Sequence, residues 1–215
     1  MRNNKGMPLK VPSTEEFEIL SVFKTMPFDD LSISEIMRQT GKKSKPWVFN
    51  TLSKLERGGL LKKNVKGNMN LYRASLENPA LLGHFLFMET LKLADMPNLE
   101  VIARIIQITR LKNYCLLVFG SYAEGEQKAD SDMDICFLME SGNAAKEIRP
   151  YVNEVVIKSK IEIHDHMITF GEFVEMLLRP EENLGKQIFK KHVLAFNGDI
   201  FYGLVKEAYN RGFRG

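Results

Sequence analysis

The sequence predicts an α+β chain of two small units, and three observations carry that prediction. Three short helical patterns follow one another from residue 13 and give way to two extended segments joined by Lys66-Gly67-Asn68. Further along, apolar runs end in Gly120-Ser121 and begin again after Asp132-Met133-Asp134. Between the halves stands Met96-Pro97, a natural boundary because proline disfavours helix at the residue before it. A length of 215 residues suits two domains of about 100 residues each. The expected organisation is a first unit at 11–75, a connecting helix at 76–97 and a second unit at 98–215.

With 44% hydrophobic and 27% charged residues the chain has the composition of a soluble globular protein with material for two cores. No apolar run approaches the ~18 residues of a membrane span, and MRNNKGMPLK lacks the apolar centre of a signal peptide. A cytoplasmic protein without membrane contact is expected. Cys115 and Cys136 lie in the apolar stretches YCLLVF and DICFLM and read as small core residues. The net charge of +3 is unevenly spread. Residues 1–97 hold 15 Lys/Arg against 10 Asp/Glu, a balance of +5, and residues 98–215 hold 15 against 17, a balance of −2. Between 38 and 73 there are ten basic residues and one acid, Glu56, the electrostatic footprint of a polyanion-binding surface.

The first helix opens at Ser13, which pairs with Glu16 as a capping box, and carries Phe17, Ile19, Leu20 and Phe23. A second box, Ser32 with Glu35, opens a helix that buries Ile33, Ile36 and Met37 and stops at Gly41. Ser44-Lys45-Pro46 opens a third, since proline is tolerated in a first turn, and Gly58-Gly59 closes it. Val48, Leu52 and Leu55 form its apolar stripe. Asn50, Ser53, Lys54 and Arg57 are left for the other side, with Trp47 on its flank. LLKKNV and MNLYRA then read as a hairpin, its turn built on Gly67 and Asn68, which tolerate left-handed backbone.

Helix, helix, helix and a basic hairpin is the order of a winged helix-turn-helix, and residues 11–75 resemble the winged-helix domains of prokaryotic transcription regulators. The resemblance implies that helix 45–57 enters the major groove of double-stranded DNA while the hairpin touches phosphates. Lys45, Asn50, Ser53, Lys54 and Arg57 are the expected helix contacts, and Lys62, Lys63 and Lys66 the phosphate contacts of the hairpin. Such domains usually pair to read two half-sites, so a homodimer is expected. Residues 76–97, rich in Leu, Phe and Met, read as a connecting helix whose stripe serves as core or dimer seam.

In the second half, side chains two apart on a strand share a face. Asp132 and Asp134 therefore project together while Met133, Ile135 and Phe137 face a core. Two carboxylates so close repel unless a cation lies between them, and paired carboxylate oxygens with nucleotide phosphates are what Mg²⁺ prefers. Gly120 leaves room for a phosphate beside the backbone and Ser121 adds a hydroxyl donor.

Gly-Ser, ten residues, then Asp-x-Asp resembles the signature of the minimal nucleotidyltransferases of the DNA polymerase beta superfamily, which includes the antitoxin half of the minimal-nucleotidyltransferase/HEPN pairs. The resemblance covers about residues 98–215 and implies a short mixed sheet flanked by helices. It also implies Mg²⁺ or Mn²⁺ and transfer of a nucleoside monophosphate, expected to be AMP, from a nucleoside triphosphate to a protein or small-molecule hydroxyl. Asp132, Asp134 and Glu162 would be the catalytic and metal-holding carboxylates, with Glu162 taking the acceptor's proton. Gly120, Ser121 and Lys128 would hold the nucleotide. Where many relatives carry arginines after Gly-Ser, this sequence has Tyr122, Ala123 and Glu124, and Lys128 is the expected substitute. The alternative is a transcription regulator whose nucleotidyltransferase domain senses nucleotide without turnover.

Asp165 falls on the opposite strand face from Glu162. His164 and His166 read as cleft histidines without metal, with a Glu-x-His-x-His zinc site as the alternative. The tail from 171 shows helical spacing in Phe173, Met176, Leu177, Leu184, Ile188 and Phe189, then a turn at Asn197-Gly198 and a last helix. Lys186, Lys190 and Lys191 read as a solvated basic face, with approach to the nucleotide as the alternative.

Overall fold

The computed structural model describes residues 13–128 and 131–215; residues 11 and 12, where the first unit is expected to begin, lie outside them. The architecture is mixed α+β, and its contacts divide the chain after Ser75 into two compact units. The first unit runs α1 (Thr14–Thr25), β1 (Leu31–Ser32), α2 (Ile33–Thr40), α3 (Lys45–Arg57), β2 (Leu61–Lys66) and β3 (Met69–Ala74).

Local chemistry sets these boundaries. Ser13 caps α1 by accepting from the Glu16 amide, and the Glu16 carboxylate accepts from the Ser13 amide at 2.8 Å. Ser32 and Glu35 do the same for α2, which ends at Gly41 in the left-handed conformation. Ser44 caps α3, with Pro46 in its first turn. The three helices bury Ile19, Leu20, Phe23, Ile36, Val48 and Leu52 completely, closed by Tyr72 of β3. The antiparallel sheet has the order β1-β3-β2, and Lys66 pairs with Met69 across a two-residue loop. Gly67 is left-handed (φ +58°) while Asn68 is not, the pattern of a turn that demands glycine first. On β2 every residue after Leu61 is exposed.

The second unit runs α4 (Pro79–Ala94), α5 (Leu99–Ile108), β4 (Tyr114–Phe119), α6 (Ser121–Glu124), β5 (Met133–Met139), α7 (Gly142–Lys158), β6 (Ile163–Thr169), α8 (Phe170–Leu178), α9 (Leu184–Lys190), β7 (His192–Phe196) and α10 (Gly198–Asn210). Its sheet has the order β6-β5-β4-β7. β5 and β6 are parallel, joined over α7 as a parallel crossover requires, and the other pairs are antiparallel. On one face Tyr114, Leu116, Val118, Met133, Ile135, Phe137 and Met139 pack with Ile102 and Ile105 of α5 and Ile148 and Val152 of α7. The other face meets α4, α8 and α10. Every residue of β4 is buried, as expected for a strand covered on both faces. Cys115 and Cys136 are free and fully buried there, and burial raises both thiol pKa values.

β7 departs from the helical reading of the tail. His192–Phe196 is a short apolar run whose periodicity cannot distinguish strand from helix, and pairing with β4 decides for strand. The turn after it is tied down by Asn197, left-handed at φ +47°, whose amide donates to the carbonyls of Lys112 and Tyr114 at 2.8 and 3.0 Å. No helix among the described residues is long and apolar enough to cross a membrane.

Hydrogen bonds from Ser32 hold the Glu35 carboxyl below its usual 4.5. A lowered folded-state pKa contributes stability that is present above the unfolded value and lost as pH falls through the folded one. Glu35→Ala and Ser32→Ala are each expected to cost about 1 kcal/mol at pH 7. In chemical denaturation followed against pH, the Glu35→Ala deficit should shrink below pH 4.5. A deficit constant down to acid would mean that the ionised carboxylate is not what caps α2.

Candidate functional site

The ends of three strands meet at one edge of the four-stranded sheet. Phe119, the last residue of β4, stands opposite Asp134 of β5, which stands opposite His164 of β6. Asp134 and His164 therefore share a face, with Asp132 one step outside β5 on that same face. Met133 donates its amide to the Glu162 carbonyl at 2.9 Å, which brings Glu162 alongside Asp132 just ahead of β6.

These side chains converge. One ligand atom from each of Asp132, Glu162 and His164 lies within 4.8 Å of the others. His164 Nε2 is 3.2 Å from Glu162 Oε1, and its Nδ1 is 3.6 Å from Asp134 Oδ1 and 3.9 Å from Asp132 Oδ2. The hydrogen bond with Glu162 first, and the charges of Asp132, Glu162 and Asp134 beside it, raise the imidazole pKa above its usual 6.5. At such separations two unit negative charges repel by about 1 kcal/mol in bulk water and several times that at the effective dielectric of a protein surface. The structure thus assembles a compact acidic cluster with a single imidazole in its midst, a set of donors suited to a divalent cation.

Neighbouring residues are turned elsewhere. Asp165 lies near Arg149 of α7, at 3.4 Å. His166 packs its ring against Phe119 at 5.4 Å, outside the cluster, so Glu162 and His164 meet Asp132 without it.

Gly120 makes the turn from β4 into α6 at φ +67°, ψ −150°. A Cβ there would sit 2.6 Å from Asp134 Oδ2. The glycine is therefore required twice, by backbone conformation and by the carboxylate lying on it. After it, Tyr122 turns into the core and its hydroxyl accepts from Asn98 Nδ2 at 3.1 Å. Ser121 is half-buried at the start of α6 and Lys128 is exposed, its amide bound to Ser131 Oγ at 2.8 Å. Glu124 meets Lys191 Nζ at 2.7 Å, and that carboxylate, with Glu126 behind it, raises the lysine pKa. Sequence reasoning favours a solvated face for Lys191 and a metal-free cleft for His164, with approach to the nucleotide and a Glu-x-His-x-His zinc site as the respective alternatives. The β5–β6 register brings His164 into the cluster, and the fold brings Lys191 to Glu124.

On the first unit, Lys45, Asn50 and Arg57 are exposed along α3 and Ser53 is half-buried, its carbonyl accepting from Arg57 Nε at 3.2 Å. Lys62, Lys63 and Lys66 are exposed on β2. Lys54 is differently engaged: its ammonium pairs with the buried Glu16 of α1. It therefore links α1 to α3 as well as contributing charge to the α3 surface.

Residues 102–193 match the family model described as a nucleotidyltransferase domain. The second unit carries a nucleotidyltransferase domain. The enzyme class this supports is nucleotidyltransferase. No curated protein matches the chain. Among solved structures, a toxin–antitoxin crystallised with AMP-PNP is 18% identical, with a TM-score of 0.36 over 53% of this chain and 88% of that one. MepR, a transcription regulator of the Staphylococcus aureus multidrug efflux pump MepA, is 19% identical, with a TM-score of 0.31 over 46% and 76%. At these scores neither likeness bears on what this chain binds.

Gly120→Ala is expected to lower stability by at least about 1 kcal/mol, the cost of a side chain in left-handed backbone, and to displace Asp134. Denaturant unfolding measures the first effect. An alanine variant as stable as the parent would refute the close approach of Asp134 to this turn.

Proposed function

We propose that the second unit is a metal-dependent nucleotidyltransferase that moves AMP from a nucleoside triphosphate to a hydroxyl of a protein or small molecule. The observation that carries the reading is the convergence of Asp132, Asp134, Glu162 and His164 beside Gly120 at one sheet edge. A divalent cation fits this site, since one ligand atom each from Asp132, Glu162 and His164 lies within 4.8 Å of the others, Asp134 Oδ1 lies 3.6 Å from His164 Nδ1, and most of the donors are carboxylate oxygens. When bound, such an ion would neutralise the triphosphate charge and stabilise the departing pyrophosphate. Asp132, Asp134 and Glu162 would hold it.

The remaining work falls to the chain itself. Gly120, lacking a Cβ, leaves the room that the Asp134 carboxylate occupies, and Ser121 offers a hydroxyl donor at the same turn. Lys191 would reach the triphosphate by exchanging Glu124 for phosphate oxygens, with Lys128 as a further cation. The acceptor oxygen attacks the α-phosphorus, the bond from that phosphorus to the bridging oxygen breaks, and pyrophosphate leaves. Glu162, whose side chain is 70% exposed, would take the acceptor's proton. The Lys191–Glu124 pair also favours a second reading, a regulator that senses nucleotide without turnover, because a carboxylate occupies the cation that a triphosphate needs.

We infer further that the first unit is a winged helix-turn-helix that binds double-stranded DNA, acting as a homodimer on two half-sites. Helix α3 would enter the major groove with Lys45, Asn50, Ser53, Lys54 and Arg57. Lys62, Lys63 and Lys66 of the wing would contact phosphates.

Incubation of the purified protein with labelled triphosphates, Mg²⁺ or Mn²⁺ and a lysate of the source cell tests the transfer. A labelled product made by the parent and lost in Asp132→Ala/Asp134→Ala is expected. Metal-dependent nucleotide binding without product would establish the sensor instead. For the wing, replacing Lys62, Lys63 and Lys66 together by alanine should flatten the plot of log affinity against log salt by about 2–3 units of slope. An unchanged slope would remove the wing from the interface.

A further inference from the structure

The cluster at the sheet edge contains a nitrogen donor that an all-carboxylate site would lack. His164 sits in register with Asp134 across the parallel β5–β6 pair, so its ring is on the carboxylates' face by the geometry of the strands. Its two nitrogens lie 3.2–3.9 Å from Glu162, Asp134 and Asp132. An octahedral cation with bonds of about 2.1 Å places adjacent donors about 3 Å apart and opposite donors about 4.2 Å apart. The 4.8 Å envelope around Asp132, Glu162 and His164 is therefore close to a coordination shell. The adjacent alternatives are engaged elsewhere: Asp165 lies near Arg149, and His166 lies against Phe119.

Donor chemistry then discriminates between ions. Mg²⁺ demands oxygen ligands in near-ideal octahedral arrangement. Carboxylates and water suit Mg²⁺ and Mn²⁺ alike, whereas imidazole suits first-row transition ions, so the nitrogen among the carboxylates is the donor that separates Mn²⁺ from Mg²⁺. We propose that His164 is a direct ligand of the cation in this site, and that it makes the site select Mn²⁺ over Mg²⁺. The inference rests on the reading of Asp132, Asp134 and Glu162 as a cation site and adds the identity of the ion and its fourth ligand.

The test uses the full-length protein with metal alone. Bound Mn²⁺ is measured by the loss of the free-ion electron paramagnetic resonance signal, Mg²⁺ by competition, and ligand nitrogen by spin-echo modulation. The parent is expected to bind Mn²⁺ at least about tenfold more tightly than Mg²⁺ and to show nitrogen modulation. His164→Ala should abolish the modulation and bring the two affinities within about twofold of each other, with Mg²⁺ affinity little changed. His166→Ala should keep both features. Nitrogen modulation that survives in His164→Ala, or an unchanged preference in that variant, would overturn the assignment of His164. If Asp134→Asn loses both ions in the same experiment, the cation site stands even when that assignment fails. A parent that binds neither ion would overturn the site and the inference together.

Discussion

Repulsion among carboxylates gathered at one sheet edge is the constraint on which the second unit depends. Asp132, Asp134 and Glu162 are brought together by strand register, and nothing in their own chemistry favours the meeting. The register is fixed by what lies further along the same strands. Met133, Ile135, Phe137 and Met139 alternate with the acidic positions and are fully buried against α5 and α7. A slip of one residue between β5 and β6 would turn these side chains toward the opposite face, which α4, α8 and α10 already cover. The apolar side of β5 thus holds the acidic side in place. Burial of one such side chain is worth roughly 1.5–3 kcal/mol, so the four together outweigh a repulsion of a few kcal/mol.

The same edge is shaped from β4. Phe119 lies opposite Asp134, and the chain then turns sharply at Gly120, whose lack of a side chain leaves the Asp134 carboxylate its place. Tyr122 anchors the short helix that follows by entering the core and accepting a hydrogen bond from Asn98. The Gly-Ser turn is therefore held from both ends. A rigid turn beside a charged cluster keeps backbone and carboxylates in fixed relation before any ligand arrives, which lowers the cost of binding.

Much of this is legible in the sequence because it is local. Capping boxes at Ser13/Glu16 and Ser32/Glu35 involve residues three apart, and both form as the spacing dictates. The face shared by Asp132 and Asp134 follows from strand alternation alone. Features set by pairing between distant segments are not legible. His164 joins the cluster because β6 lies parallel to β5 in one particular register, and no local pattern states that register. β7 carries a short apolar run that would suit either a helix or a strand until β4 claims it. Lys54 sits on the polar side of α3 by periodicity, yet the packing of α1 gives its ammonium the buried Glu16 as a partner.

The pairing of Lys191 with Glu124 bears on how such a site meets its substrate. With no arginine after Gly-Ser, a cation reaches this turn from the end of α9, and it arrives already neutralised. A triphosphate would have to displace a carboxylate to gain it, and both partners would stay near water, where such an exchange costs little. The exchange would leave Glu124 free and close to phosphate, a repulsion that opposes binding in proportion to the charge on the nucleotide. Affinity would then rest chiefly on the cation held by the strand carboxylates. On the proposed reading, the cation site, more than the lysines around it, would be the element on which nucleotide recognition depends.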